Sequence, residues 1–311
     1  MTPSNEAAKL VGTTGTSAEV LSDPDVAHLV IHHNKVIGAH LVPGLHVDTE
    51  EIEDGIDCKI VLDEKTKIAK PVHLCFGMLP KTGVQRIIMN VEIKEAAEVA
   101  IKADCTFPNA VDVKHIMEAK IHVGKGAQYS YFERHVHSDS GGVTVLPKAV
   151  VELDEDARFK ADFELVKGRV GTIRIDYETT CKARSVLEMT AKVNGKGDDL
   201  IELNETGHLV GEGARGVLTS RIAVRGNARA EVNNKITATA PFARGHVDCK
   251  EIIQDHGVAK AIPIVEVHDP RAHVTHEAAI GSVGSKELET LMAHGLTEDE
   301  AVELIIQGLL S

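Results

Sequence analysis

Aromatic rings are scarce in this 311-residue chain: six Phe, three Tyr and no Trp, 3% of the sequence. With 43% hydrophobic residues a sizeable core still has to form, so Val, Ile, Leu and Ala must fill it. That favours a fold of many small, repeated packing layers. Few rings also means few stacking platforms for single-stranded nucleic acid. Basic residues are outnumbered 34 to 47, and the net charge of −13 opposes the counterion release that drives nucleic-acid binding. An anionic membrane surface is disfavoured for the same reason. No apolar run approaches the roughly 20 residues needed to span a bilayer, and the N-terminal stretch lacks a basic segment followed by an apolar one. A cytoplasmic protein with no nucleic-acid and no membrane partner is expected.

Cysteines are few and scattered. Cys58, Cys75, Cys105, Cys181 and Cys249 are odd in number and include no CxxC pair, which suggests neither a disulfide framework nor a structural zinc site. There is no GxxxxGK[ST] loop, no GxGxxG opening a helix, no GxSxG elbow and no HExxH, so an ATPase, dehydrogenase or serine hydrolase is not expected from this chain alone.

What is present is a recurring phrase: two apolar residues at alternate positions, a polar centre, and a small residue six positions after the first. It appears as VEIKEAAE, IHVGKGAQ, VELDEDAR, IDYETTCK, IELNETGH and IAVRGNAR, beginning at Val91, Ile121, Val151, Ile175, Ile201 and Ile222. The spacing of these starts is uneven. The alternating part reads as a strand with one buried face, the polar centre as a turn, and the small residue as the place where layers crowd. Stacked units would bury a continuous aliphatic column. The pattern predicts a right-handed parallel β-helix with coils of roughly 20 to 30 residues; a β-sandwich is the alternative.

Residues 1–55 read as an N-terminal lead-in carrying two short strands around His33-Asn34-Lys35, and residues 56–278 as the β-helix core. Residues 279–311 read as a small helical domain. Ser285 to His294 and Thr297 to Leu309 carry helical apolar spacing, with Gly295 as the stop between them and Thr297 with Glu300 as a capping box. Leu304, Ile305, Leu309 and Leu310 supply more apolar surface than two short helices can hide from each other, so they are expected to pack on the solenoid or on a partner protein.

Candidate chemistry concentrates near the end of the solenoid, where His246, Cys249, His256, His268, His273, His276 and Glu277 follow one another closely. Cys249 lies between Asp248 and Lys250 in a polar phrase; a thiolate next to Lys250 could ligate iron or take part in persulfide chemistry. The other four cysteines are expected to be small buried hydrophobes. His276 and Glu277 are neighbours on a strand, so only one can face the column. His135 and His137 would share a strand face as a metal pair, but no carboxylate or cysteine pattern completes it. They and His32-His33 are expected to be surface or interface histidines, and a protein-made zinc site is not expected.

ARGHVDC (Ala243 to Cys249), IPIVEVHDPRAHVTHEA (Ile262 to Ala278) and LMAHGLTEDEAVELIIQGLL (Leu291 to Leu310) together resemble SufB and SufD, the β-helix scaffold proteins of the SUF iron-sulfur cluster assembly system. Weaker similarity runs back through KPVHLCF (Lys70 to Phe76) over roughly residues 55 to 311. The resemblance implies a dimer of β-helix subunits, C-terminal helices that hold a SufC-type ABC ATPase, and a transient iron-sulfur cluster built at the subunit interface on sulfur delivered as persulfide from a cysteine desulfurase or other source. Position by position, Cys249 matches the SufB cysteine, while His276 and Glu277 match its HEA motif. Leu288, Leu291, Met292, Leu296, Leu304, Ile305 and Leu309 would then face the ATPase. Thr275 stands where SufB has a further glutamate, and the long N-terminal helical region of bacterial SufB has no counterpart, which suggests a homodimer in place of a pairing with a SufD-like subunit. The expected function is that of a non-enzymatic scaffold. Its rivals are a β-helix carbohydrate lyase or hydrolase and a purely structural adaptor for an ATPase.

Overall fold

A computed structural model describes residues 5–310 of the chain. After α1 (Asn5–Thr13) and a single 3-10 turn (Ala18–Leu21) come two antiparallel pairs, β1 (His28–His32) with β2 (Lys35–His40) and β3 (Leu45–Ile52) with β4 (Gly55–Leu62). The first pair turns at His33, as its sequence predicts. Fifteen strands follow: β5 (Val72–Gly77), β6 (Thr82–Ile93), β7 (Glu98–Phe107), β8 (Asp112–Val123), β9 (Gln128–His137), β10 (Val143–Leu153), β11 (Arg158–Lys167), β12 (Thr172–Cys181), β13 (Val186–Gly195), β14 (Leu200–Leu209), β15 (Arg215–Val224), β16 (Arg229–Ala238), β17 (Arg244–Ile253), β18 (Val258–Val267) and β19 (His273–Ser282). Two helices, α2 (Ser285–Ala293) and α3 (Glu298–Leu310), end the chain.

Strands alternate between two sheets. One runs β19-β17-β15-β13-β11-β9-β7-β5-β1-β2 and the other β18-β16-β14-β12-β10-β8-β6-β4-β3, parallel throughout except for the two opening pairs. The chain therefore winds into a parallel β-solenoid of about eight coils, as the repeat predicts. Successive coils bring Ile173 beside its register partner Ile201 and Ile60 beside Val91, an advance of roughly 30 residues per coil and well within the range of stacked repeats. Inward-facing aliphatics from both sheets meet in one column, including Ile60, Val91, Leu153, Leu187, Leu218 and Val247, each no more than 3% exposed.

The coil corners explain the small residue of the repeat. At successive corners one residue adopts the left-handed conformation: Ala96 (φ 56°), Gly126 (65°), Asp156 (60°), Arg184 (56°), Gly213 (68°) and Phe242 (59°). The next residue, Ala97, Ala127, Ala157, Ser185, Ala214 or Ala243, turns into the column and is at most 1% exposed. A larger side chain there would collide with the neighbouring coils. The phrases beginning at Val91, Ile121 and Val151 cross corners of this set and that at Ile222 crosses the corner after β15, but the small residues of those at Ile175 and Ile201, Cys181 and Gly207, still lie within β12 and β14. Mixing mid-strand matches with corner matches produced the uneven spacing, because β alternation alone also satisfies the apolar part of the phrase.

Helix α1 arises in a segment whose Gly, Ser and Thr content suggested only lead-in. Ala7, Leu10 and Val11 form its buried stripe and cover Val30 and Cys75 on the outside of the first sheet. At the other end, α3 lays Val302, Ile306 and Leu310 over Ala223, Val166 and Ile252 on the outer face of the same sheet. Full burial of an aliphatic side chain contributes about 1.5–3 kcal/mol, so this contact docks the helix pair firmly. Arg225 adds an ion pair to Glu303 at 2.7 Å. The capping box also forms: the Thr297 N–H donates to Glu300 Oε2 at 2.8 Å and the Glu300 N–H to Thr297 Oγ1 at 3.3 Å.

Candidate functional site

Strand alternation decides where the residues singled out in the sequence go. On β17, Val247, Cys249 and Glu251 face the column, whereas Asp248 and Lys250 face outward. Cys249 is fully buried, in register with Ser220 of β15 and Ala278 of β19. Burial pushes its thiol pKa up to about 11, with the Ser220 hydroxyl acting in the opposite direction and the charges of Glu251 and Glu205 adding to the rise. Lys250 does not assist the thiolate as its sequence position suggested. Its ammonium lies outside the sheet, 3.7 Å from Asp248 and 3.7 Å from Glu277, because adjacent strand residues point to opposite faces.

The same rule separates the two members of the His-Glu pair. His276 is in register with inward-facing Val247, and Glu277 with outward-facing Asp248. His276 therefore shares the face of Cys249, while Glu277 lies across the sheet from the thiol. Both are exposed, since β19 is the last strand of its sheet. His246 is tied to Thr275, Nδ1 to Oγ1 at 2.8 Å.

Beneath Cys249 the column is polar. The Ser220 hydroxyl donates to Glu251 Oε1 at 3.3 Å, and Glu251 Oε2, Glu205 Oε2 and both side-chain atoms of Asn234 are buried without hydrogen-bond partners among the described residues. Desolvation raises the carboxyl pKa of Glu251 to about 7 and that of Glu205 to about 8. These groups escape sequence inspection because the strand phrases that carry them are polar and apolar by turns whichever face is buried.

The solenoid ends open. Ile280 of β19 and Val267 of β18 continue the inward rows of Glu251 and Ala238, yet they are 44% and 47% exposed. Each of these strands also has an edge with no further strand beside it among the described residues. Beside this end, Leu291, Leu304 and Ile305 line a hollow of ≈ 480 Å³ together with Lys286, Glu287 and Thr290. Of the residues expected to face a partner, Met292 and Leu304 are exposed and Leu291, Leu296 and Leu309 half-buried; Leu288 and Ile305 are partly turned into the solenoid contact.

A second polar group lies deep in the solenoid and corrects one expectation. His135 and His137 are 1% and 5% exposed, so they are not surface histidines. Glu133 precedes them at the same period of two, with Oε1 2.7 Å from His135 Nε2. Cys105 is in register with His135, and His115 reaches across from the other sheet. Burial holds the pKa of all three histidines down to about 3 and raises that of Glu133 to about 7. The E-x-H-x-H alternation was the visible signal.

The SUF system FeS cluster assembly, SufBD core domain, matches residues 81–309. The chain belongs to the SufBD family. Two archaeal iron-sulfur cluster assembly SufBD family proteins are each 36% identical to it: one from Methanocaldococcus jannaschii over 91% of this chain and 89% of its own length, one from Pyrococcus horikoshii over 92% and 87%. A third, from Archaeoglobus fulgidus, is 27% identical over 85% of this chain and 69% of its own. SufBD membership gives the chain a general role in iron-sulfur cluster assembly and leaves the carbohydrate lyase reading without support. Among the described residues no helix is long and apolar enough to cross a membrane.

Proposed function

We propose that this SufBD protein is a non-enzymatic scaffold, on which a transient iron-sulfur cluster is built at the open end of the solenoid with Cys249 as the thiolate ligand. The observation that carries the reading is the position of Cys249: one strand from the end of its sheet, under an uncovered terminal coil, in a chain of this family. A cluster is cargo here, assembled and passed on. Thiolate secures iron, and a nitrogen or oxygen donor binding alongside it eases release.

His276 shares the Cys249 face, two residues along β19 from Ala278, the register partner of Cys249, and is the second donor on that face. Glu277, across the sheet, joins the same cluster if it is supplied by a second copy meeting this end about a two-fold axis. The exposed rows of β18 and β19, with Ile280 and Val267, offer the apolar surface and free strand edges that such a homodimer, or a pairing with a SufD-like subunit, would cover. Because Cys249 is buried and its thiol is disfavoured as thiolate, loading requires the last coil to open. The chain carries no nucleotide loop, so a SufC-type ABC ATPase bound at Met292, Leu304 and the hollow beside them would supply that motion in the cytoplasm. Sulfur would come as persulfide from a cysteine desulfurase or an equivalent donor.

Anaerobic reconstitution with iron and sulfide tests the reading, with visible absorption and iron and sulfide counts for wild type and Cys249→Ser. Loss of the chromophore in the variant is expected. Equal cluster content in both would remove Cys249 from the site and favour an adaptor role.

A further inference from the structure

The histidine group in the middle of the solenoid has no part in the Cys249 site. Cys105 sits on β7 and Cys249 on β17 of the same sheet, five strand steps apart, or about 24 Å at the usual spacing of about 4.8 Å. We propose that Cys105, His115 and His135 form a binding site for one divalent d-block ion of the zinc class, joining the two sheets from inside.

The ligand atoms of these three side chains all lie within 4.8 Å of one another, and each residue is at most 1% exposed. One ion with bonds of about 2.0–2.3 Å can reach all three after small side-chain shifts. His115 supplies an independent reason to expect an occupant. Neither its Nδ1 nor its Nε2 has a hydrogen-bond partner among the described residues, although the ring is fully buried. A neutral imidazole always presents one donor and one acceptor, and leaving a buried polar atom unpaired costs about 1–3 kcal/mol.

The next histidines point the same way. His137 Nδ1 lies 3.0 Å from the Arg169 carbonyl oxygen, which can only accept, so that nitrogen carries the proton and Nε2 keeps its lone pair. His135 Nε2 lies 2.7 Å from Glu133 Oε1; in the tautomer that donates Nε2–H to this carboxyl oxygen, Nδ1 presents its lone pair. In that tautomer His135 Nδ1 and His137 Nε2 face each other at 3.2 Å with no proton between them, an arrangement that a cation relieves. A carboxylate holding the outer nitrogen of a metal-binding histidine is the usual device for fixing its tautomer and raising its basicity.

Charge and donor type narrow the class. A divalent ion, the Cys105 thiolate and the Glu133 carboxylate sum to zero, which suits a dry interior. One sulfur and two imidazole nitrogens favour zinc and its neighbours over magnesium or calcium. Phe107, 4.9 Å from the His115 ring, and Phe163, 5.1 Å from the His135 ring, close the walls against water. Access to so enclosed a site is easiest while the chain folds, so bound metal would add to folding stability.

The test uses full-length protein produced in iron-poor medium supplemented with zinc or, separately, cobalt. Both wild type and Cys249→Ser are used, so that failure at the Cys249 site and failure here are read apart. One ion per chain is expected in both, with at least about tenfold lower occupancy in Cys105→Ala and in His115→Phe. If those variants do not fold, X-ray absorption on the zinc-loaded Cys249→Ser chain decides: one sulfur and two or more nitrogen neighbours are expected. Metal-free protein from both media, undiminished metal in Cys105→Ala, or a shell without sulfur would overturn the proposal.

Discussion

Replacing Glu205 by Gln should convert an alkaline weakness of the solenoid into a measurable gain. Glu205 is 3% exposed on the inner face of β14, and desolvation raises its carboxyl pKa from 4.5 to about 8. Between those values the folded chain holds a proton that the unfolded chain has lost. Stability from this group is therefore complete below about pH 4.5 and falls as pH rises through about 8. The span of about 3.5 pH units at about 1.4 kcal/mol each sets an upper limit near 5 kcal/mol, and relaxation around the charge reduces the expected loss to about 2–4 kcal/mol. Glutamine keeps the shape and has nothing to ionise. The buried histidines act in the opposite direction and in a lower window, because pKa values of about 3 against 6.5 cost stability only as pH falls below about 6.5. Calorimetric melting of both proteins at pH 5, 7 and 9 should show near-equal midpoints at pH 5 and the variant ahead by about 3–6 °C at pH 9. Parallel pH curves from 6 to 9 would refute the reasoning.

Other consequences are as direct. Ala96 occupies a left-handed corner at φ 56°, so Ala96→Gly should stabilise the coil by about 0.5–1 kcal/mol in urea unfolding; a loss of stability would contradict the corner strain. Ile306 is fully buried between α3 and the sheet, and Ile306→Ala should cost about 2–4 kcal/mol of docking, read as faster proteolysis between residues 283 and 297 while the solenoid survives. Alkylation of Cys249 at pH 7.5 should be far slower than that of an exposed thiol and should accelerate on unfolding, which peptide mapping would follow; reaction at the rate of a free cysteine would contradict its burial. Leu304→Asp changes an exposed residue, so the melting point should hold while affinity for a co-expressed SufC-type ATPase drops by about tenfold or more.

Much of the fold was legible because strand alternation and the coil repeat leave plain marks: alternating Val, Ile and Leu, and a small residue at each corner. The capping box of Thr297 and Glu300 is local, and it formed as written. Helix α1 was hidden because nine residues with three buried apolar positions resemble a polar lead-in until the outer face of the sheet is there to receive them. The candidate site residues stand out by type and not by direction. Cys249, His276 and Glu277 stand out by type, but only the register shows that Glu277 lies on the far side of the sheet from the thiol and that Lys250 pairs outside with it. The Cys105, His115 and His135 group escaped because its members come from three successive strands, β7, β8 and β9, that belong to two different sheets. Spacing along a chain cannot show which rows of a solenoid meet.

The central claim, that this SufBD protein builds a cluster at Cys249 and passes it on, is tested most directly by transfer. Wild-type protein, reconstituted anaerobically and freed of loose iron and sulfide, is mixed with an apo-form iron-sulfur enzyme in the presence of an iron chelator, and recovery of the acceptor's activity is timed. Rapid, chelator-resistant recovery with wild type and none with Cys249→Ser is the predicted result. Recovery that the chelator abolishes, or that is equal with the variant, would contradict the account.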